Sequence, residues 1–172
     1  MTRRLPLLLA CLLLAAYAAA CGGGDAEDAA APQATAAPTS FDAKAVSKDL
    51  KVKPAVPTAS GDPPAELQKT DIVKGKGKRA KAGDTVDVQY VGVSWSTGEQ
   101  FDASWDRGEP ISFPLGAGRV IPGWDQGIAG MRVGGRRVLV IPPDLAYGNQ
   151  SPTPAIAPNE TLVFVVDLKR AR

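Results

Sequence analysis

The 172-residue chain carries 20 Lys and Arg residues, 18 Asp and Glu residues and no histidine. Without histidine it can form neither a Ser-His-Asp nor a Cys-His catalytic arrangement, and no His-based metal site. The near balance of charge also lacks the basic excess of nucleic-acid-binding proteins, so no nucleic-acid partner is expected.

Residues 1–20 are predicted to be a signal peptide. Arg3 and Arg4 precede an apolar run from Leu5 to Ala16, and small residues follow up to Cys21. This order of basic, apolar and small residues is typical of secretion signals. The run is too short for a convincing permanent membrane span. The mature protein is therefore expected outside the cytoplasm.

Two cleavage patterns fit the end of this signal. The stretch "AAAC" resembles a bacterial lipoprotein box, in which Cys21 becomes the lipidated first residue and anchors the protein to a membrane. The alternative is plain cleavage after Ala20, which would release a soluble secreted or periplasmic protein. Lipidation is favoured because Cys11 lies in the signal, so Cys21 has no partner for a disulfide.

Residues 21–65 are predicted to form a disordered, Ala/Pro-rich tether. They contain few large apolar residues and cannot bury enough surface to order themselves. An edge strand containing Val52 and Val56 is the alternative for the last part. Residues 66–172 hold nearly every large apolar residue of the mature chain, which indicates one domain of common size.

Alternating apolar residues predict strands in this domain. They occupy "QKTDIV", "TVDVQYVGV", "ISFPL", "RRVLVI" and "TLVFVVDLK". One short helix is predicted between Pro122 and Gly130, because proline suits a first helical position and glycine a terminus. Trp124 and Ile128 would face the sheet from this helix. The pattern predicts an α+β domain, an antiparallel sheet with one short α-helix, and leaves open whether Trp124 fills a core or floors a pocket.

The run "KGKGKRAK", from Lys74 to Lys81, is the basic cluster of the chain. It is interpreted as a solvated loop rather than a binding patch, because glycines interrupt it and acidic residues surround it.

Four separated blocks resemble, in order and spacing, the FKBP-type peptidyl-prolyl isomerases. They are "QYVG", "FDASWDRGEPISFPLG", "VIPGWDQGIAGMRVGGRRVLVIPPDLAYG" and "NETLVFVVDL". The resemblance covers residues 66–172 and implies a five- to six-stranded antiparallel β-sheet curled around one short α-helix. It also implies a ligand cavity between helix and sheet, with Trp124 as its floor.

The resemblance implies a set of site residues. The catalytic positions would be Tyr90, Phe101, Asp102, Ile121, Trp124, Tyr147 and Phe164, and the substrate-binding positions Val120, Ile111 and Ile156. The Ile121 N–H and the Tyr147 hydroxyl would donate to ligand carbonyls, and Asp102 would order the site without acting as a general base. Without the resemblance, Tyr90 and Phe164 would be assigned to the core, Asp102 to a turn and Tyr147 to the surface.

The chain departs from the family pattern at a few positions. Ile111 replaces a frequent aromatic residue, and the loop from Asn149 to Pro158 carries Pro152, Pro154 and Ala157 where relatives differ. These departures leave the substrate preference open.

Rotation about an X-Pro bond breaks no bond and needs no proton transfer, so no cofactor and no metal is expected. An apolar cavity would disfavour the charge-separated planar amide and hold its twisted form. The predicted function is peptidyl-prolyl cis-trans isomerisation that assists folding of exported proteins. The expected partners are proline-containing peptides, unfolded exported proteins and the family's macrolide inhibitors, and a monomer is expected. The alternative is a non-catalytic proline-peptide binding module or holdase chaperone that uses the same pocket.

Overall fold

The computed structural model describes residues 40–172. Within this part of the chain, six strands form one antiparallel sheet in the order β1-β5-β6-β2-β3, and β4 also pairs with β2. The strands are β1 Gln68–Val73, β2 Thr85–Ser94, β3 Gln100–Ala103, β4 Ile111–Pro114, β5 Gly135–Ile141 and β6 Leu162–Ala171. The predicted antiparallel α+β fold is confirmed, and β3 is a strand that the sequence pattern did not predict.

The main helix, α2, spans Pro122–Ile128, and a shorter helix, α1, spans Ser104–Arg107. The helix α2 begins at Pro122, as predicted, because a proline at the first helical position loses no intrahelical hydrogen bond. Short 3₁₀ turns occupy Ala43–Ala45 and Pro143–Leu145. In the described residues, no helix is long and apolar enough to cross a membrane.

The main core lies between α2 and the sheet. Trp124 and Ile128 are buried on the inner side of the helix, as predicted. They pack against the inward residues of the two longest strands, which are Val86, Val88 and Tyr90 on β2 and Leu162, Phe164, Val166 and Leu168 on β6. Their spacing of two residues is the strand alternation that the sequence showed. This packing fixes the position of α2 over the sheet.

A second apolar cluster covers the outer face of the sheet, the face opposite α2. It contains six strand valines, namely Val91, Val93, Val138, Val140, Val163 and Val165. Val46, which is 2% exposed, packs on this cluster together with partly buried Phe41 and Val56. The segment of residues 40–61 therefore covers apolar surface that would otherwise face water.

This packing corrects the predicted disordered tether, which extended to residue 65. The alternative edge strand is also absent, since Val52 and Val56 lie outside the strands and Val52 is 54% exposed. The reason is that three central strands are apolar on both faces, so the outer face needs a cover. The predicted signal peptide, Cys21 and the first part of the tether lie outside the described residues.

A buried ion pair helps to hold the segment 40–61. Arg136 on β5 and Asp167 on β6 face each other, and Arg136 Nε lies 2.5 Å from Asp167 Oδ1 with both side chains buried. The same guanidinium donates to the carbonyl oxygens of Ser47 at 2.7 Å and Val52 at 3.2 Å. One buried cation thus joins the sheet to the backbone of the covering segment.

Candidate active site

A recess of about 210 Å³ opens between α2 and the sheet. Its lining comprises Tyr90, Phe101, Asp102, Ile111, Arg119, Val120, Ile121, Trp124, Tyr147 and Phe164. Every site residue that the resemblance implied is among them except Ile156. The structure therefore brings together, from six separate stretches of chain, the residues that were expected to meet.

Trp124 lies at the base of this recess and is 4% exposed. Its ring meets Tyr90 edge-on at a centroid distance of 4.9 Å and Phe164 edge-on at 5.1 Å. Phe101 extends the wall, with its ring 5.5 Å from that of Phe164. Such edge-to-face contacts fix ring orientations. Trp124 therefore belongs to the main core and also lines the recess.

The space for two of these rings depends on Gly92. A Cβ atom at this position would lie 2.7 Å from Phe101 Cζ and 2.7 Å from Phe164 Cε1, closer than carbon atoms approach. Gly92 is paired with Phe164 on β6 and with Asp102 on β3. A side chain at residue 92 would therefore push both rings out of the pocket wall.

The polar edge of the recess is a three-membered network. Tyr90 donates its hydroxyl hydrogen to Asp102, Arg107 NH1 lies 2.5 Å from Asp102 Oδ1, and Arg107 NH2 donates to Tyr90 Oη at 2.9 Å. Asp102 lies within strand β3, so the assignment of this residue to a turn is wrong. Arg107, at the end of α1, was not predicted, because nothing in its sequence context links it to Tyr90.

The network determines the charges at this edge. Burial, and then the hydrogen bond to Asp102, raise the pKa of Tyr90 to about 12. Burial alone would raise the pKa of Asp102, but hydrogen bonds from Tyr90 and Arg107 outweigh it and hold that pKa below its ordinary value. Asp102 is therefore an anion and Tyr90 is neutral near neutral pH, which leaves no group poised as a general base.

We expect kcat/KM for a capped proline peptide to stay constant from about pH 5.5 to 9. The charge of Asp102 is lost only as pH falls through its lowered pKa, and the proton of Tyr90 only near pH 12. The chain has no histidine to titrate between these limits. The rate is measured with the uncatalysed rate subtracted at each pH. A rise or fall of kcat/KM between about pH 6 and 8 would contradict the assignment of Asp102 as an anion and Tyr90 as a neutral group.

Two free donors face the remaining side of the recess. Tyr147, which is 38% exposed, has a hydroxyl without a hydrogen-bond partner among residues 40–172. Burial, and then the charge of Asp102, raise the pKa of Tyr147, so the hydroxyl keeps its proton. The backbone N–H of Ile121, directly before α2, is likewise without a partner in the described chain. Both donors are therefore available to a ligand.

Ile156 does not line the recess. It is 3% exposed and belongs to the main core, and Ser151 donates its hydroxyl hydrogen to the Ile156 carbonyl oxygen. Its amide also donates to the Thr153 carbonyl oxygen at 3.1 Å. These contacts curl the loop so that its one large apolar side chain is buried, and this burial corrects the expected substrate-binding position.

Arg119 lines the recess and was not predicted. Its side chain is exposed, and no acidic residue of the described chain pairs with it. The sequence could have indicated this position, because Arg119 directly precedes Val120 and Ile121, which the resemblance placed at the site. The mouth of the recess therefore carries one uncompensated positive charge.

A recess lined by aromatic rings lies between the sheet and a short helix, and a few polar groups converge on it. These features define the site as one that binds a small molecule or a short apolar group. The family model for FKBP-type peptidyl-prolyl cis-trans isomerases matches residues 76–169. The chain belongs to this family of isomerases.

Known relatives agree with this assignment. The chain is 60% identical over 117 residues to the FK506-binding protein of Streptomyces anulatus, a match that covers 67% of this chain and 94% of that protein. It is 47% identical over 116 residues to the probable FK506-binding protein of Corynebacterium glutamicum, covering 67% and 96%. The predicted family and enzyme class are confirmed.

Two solved structures share the fold. AtFKBP13 is 37% identical with a TM-score of 0.57, and the match covers 64% of this chain and 96% of that one. FkpA from Escherichia coli is 45% identical with a TM-score of 0.55, covering 62% of this chain and 48% of that one. The chain thus spans about half of FkpA and nearly all of AtFKBP13.

Proposed function

We propose that this isomerase accelerates cis–trans conversion of X-Pro bonds in exported proteins by holding the proline ring in the aromatic recess. The observation that carries the proposal is the open recess floored by Trp124 and walled by Tyr90, Phe101 and Phe164. A proline side chain is a compact apolar ring, and this recess offers it ring faces and edges on several sides.

In the proposed mechanism, the recess removes water from the bound amide. The planar amide has more charge separation than the twisted transition state, so losing water disfavours the planar form more. The free N–H of Ile121 and hydroxyl of Tyr147 donate to substrate carbonyl oxygens and hold the chain on either side of the bond. Because each ~1.4 kcal/mol is a factor of ten, a thousandfold acceleration requires about 4 kcal/mol of such preference.

The direct test is a proline tetrapeptide assay with the purified protein. We expect faster cis-to-trans conversion that rises linearly with enzyme concentration. Because relatives up to 60% identical are named FK506-binding proteins, we expect FK506 to abolish it. An unchanged rate at micromolar protein would reject the proposal.

A second candidate is a binding module or holdase chaperone that uses the recess without turnover. The loop residues Pro152, Pro154 and Ala157 favour it, because they make the segment beside the site differ from the family pattern. This function predicts peptide binding and suppressed client aggregation without rate acceleration. Loss of binding in Phe101→Ala, in a protein that shows no turnover, would support the second candidate over the first.

We expect Arg119→Glu to change the preference for the residue before proline. The exposed cation at the mouth favours an acidic residue before proline. Exposed ion pairs contribute about 0.2–1 kcal/mol, so reversing the charge should lower the ratio of kcat/KM for Glu-Pro to kcat/KM for Lys-Pro peptides by about two- to fivefold or more. High salt should weaken the effect. The matched control is Lys48→Glu on the outer-face segment, which is exposed and distant from the recess. Equal ratios in both variants would contradict a role for Arg119.

We further propose that the protein is a monomer outside the cytoplasm, held to a bacterial membrane through lipidated Cys21. The support is sequence alone: the signal-like residues 1–20, the "AAAC" stretch and the unpaired cysteine. Mass spectrometry of the mature N-terminus gives a diacyl- or triacylglyceryl mass if the proposal holds. An unmodified cysteine would favour the soluble alternative.

A further inference from the structure

A second recess, of about 260 Å³, lies at the other end of helix α2 from the aromatic one. The aromatic recess includes Ile121 and Trp124 at the start of α2, whereas this recess includes Gly130 and Met131 just after its end. Its lining includes four cationic residues, Lys74, Arg79, Arg132 and Arg137, and a single acidic residue, Asp71. We call it the cationic recess.

The basic run "KGKGKRAK" divides between two surroundings in the structure. Lys78 pairs with Asp84 at 2.9 Å, and the backbone N–H of Lys81 also donates to this carboxylate. Lys74 and Arg79 line the cationic recess, and no carboxylate in residues 40–172 lies within ion-pair distance of either. Both residues are exposed, as the solvated-loop interpretation expects, and they also line the cationic recess.

The wall opposite the run is fixed in place. Arg137 Nε lies 2.7 Å from Asp71 Oδ1, and its NH1 donates to the Gly127 carbonyl oxygen at 2.7 Å near the end of α2. Only 12% of the Arg137 side chain is exposed. Arg132 donates to a neutral carbonyl oxygen, that of Gly77, so its charge is not compensated. A preorganised guanidinium wall loses little entropy when it binds an anion.

Two closely packed glycines, Gly75 and Gly135, are among the residues that line the recess. A Cβ atom on Gly75 would lie 2.3 Å from the Arg132 carbonyl oxygen, and one on Gly135 would lie 3.1 Å from the Gly75 nitrogen. Only glycine fits at Gly75, and this close packing brings the loop after β1 against the turn before β5. The cations of these two loops therefore converge on one space.

We propose that the cationic recess binds a phosphate group. Three of its four cations have no carboxylate partner, and guanidinium groups present paired donors that match oxyanions. A phosphate offers three or more acceptor oxygens, so it can meet donors from several walls at once, whereas a carboxylate offers two. A free soluble phosphate and a phospholipid headgroup present the same chemistry to the recess, and the experiment below distinguishes these two sources.

The first experimental arm titrates the purified protein with inorganic phosphate against sodium chloride of equal ionic strength. The backbone amide signals of Gly75, Gly130 and Gly135 are followed by NMR. The second arm measures sedimentation with phosphatidylglycerol vesicles, using pure phosphatidylcholine vesicles as the blank. Both arms are repeated with Lys74→Gln/Arg79→Gln and with the control Lys76→Gln/Lys81→Gln.

The control pair removes the same charge from the same run, but its side chains do not line the recess. All four side chains are exposed, so both double variants should fold. We expect at least tenfold weaker binding for Lys74→Gln/Arg79→Gln and a change below twofold for the control. Saturable shifts with inorganic phosphate would identify a free phosphate site, and binding only to phosphatidylglycerol vesicles would identify a lipid headgroup site. Absence of binding in both arms, or equal losses in the two variants, would overturn the proposal.

Discussion

Phe101→Ala is expected to lower kcat/KM for a proline tetrapeptide by about 10- to 100-fold. Burial of an apolar ring contributes about 1.5–3 kcal/mol of favourable free energy, and each ~1.4 kcal/mol of transition-state stabilisation is a factor of ten in rate. Phe101 walls the recess and braces Phe164 at 5.5 Å, so its removal both opens the pocket to water and loosens a second ring. The measurement is the initial isomerisation rate at several enzyme concentrations.

The matched control is Phe41→Ala. Phe41 is also partly buried, but it packs on the outer face of the sheet, with its ring 6.4 Å from that of Trp95. We expect this variant to keep the activity of the parent at temperatures where both are folded. If Phe101→Ala were as active as Phe41→Ala, the aromatic recess would not be the site of catalysis.

Asp167→Ala is expected to lower the free energy of unfolding by about 3–5 kcal/mol, because it leaves a buried guanidinium without its counter-charge. Arg136 has no exposed surface and cannot reach water without disrupting β5 or the covering segment. Since domains of this size are stable by about 5–15 kcal/mol, the loss is large. Urea unfolding followed by tryptophan fluorescence measures it.

Asp106→Ala serves as the exposed counterpart. Asp106 pairs with Lys53 at 2.6 Å, but their side chains are 51% and 38% exposed. Exposed pairs contribute about 0–1 kcal/mol, so this variant should unfold close to the parent. A similar, small loss in both variants would show that the Arg136–Asp167 pair is not important for stability.

The sequence predicts the inner half of this fold well, because its signals are local. Alternating apolar residues identify the long strands, and Pro122 marks the start of α2. The strand β3 was missed because "QFDA" is only four residues long and half polar, so its pairing with β2 depends on tertiary context.

For the outer half, the sequence indicates that the sheet needs a cover but does not indicate which segment provides it. Val163 and Val165 alternate with Leu162 and Phe164, which makes β6 apolar on both faces and requires a cover. The identity of the cover could not be predicted, because Arg136 binds carbonyl oxygens of residues 40–61. Every residue has a backbone carbonyl oxygen, so these contacts leave no recognisable pattern in the sequence. The segment differs from a disordered tether only in a few apolar residues, such as Phe41, Val46 and Val56.

The recess itself could not be predicted from periodicity. Alternation places Tyr90 and Phe164 on the same face as Trp124, but a filled core and an open pocket have the same alternation. The difference lies in how α2 and the loops around Tyr147 and Arg119 pack, which is a property of distant parts of the chain. Only the family resemblance gave the set in advance, and it failed for Ile156.

The attachment of residues 40–61 to the outer face determines how the domain responds to mechanical tension. A pull transmitted through Ser40 first loads its two backbone hydrogen bonds to Ser60, each 2.9 Å long. It next loads the Arg136 contacts to Ser47 and Val52, and only then a strand of the sheet. Peeling about 20 residues would release roughly 70 Å of extended chain. Under such a pull, the covering segment would therefore detach before any strand of the sheet is loaded.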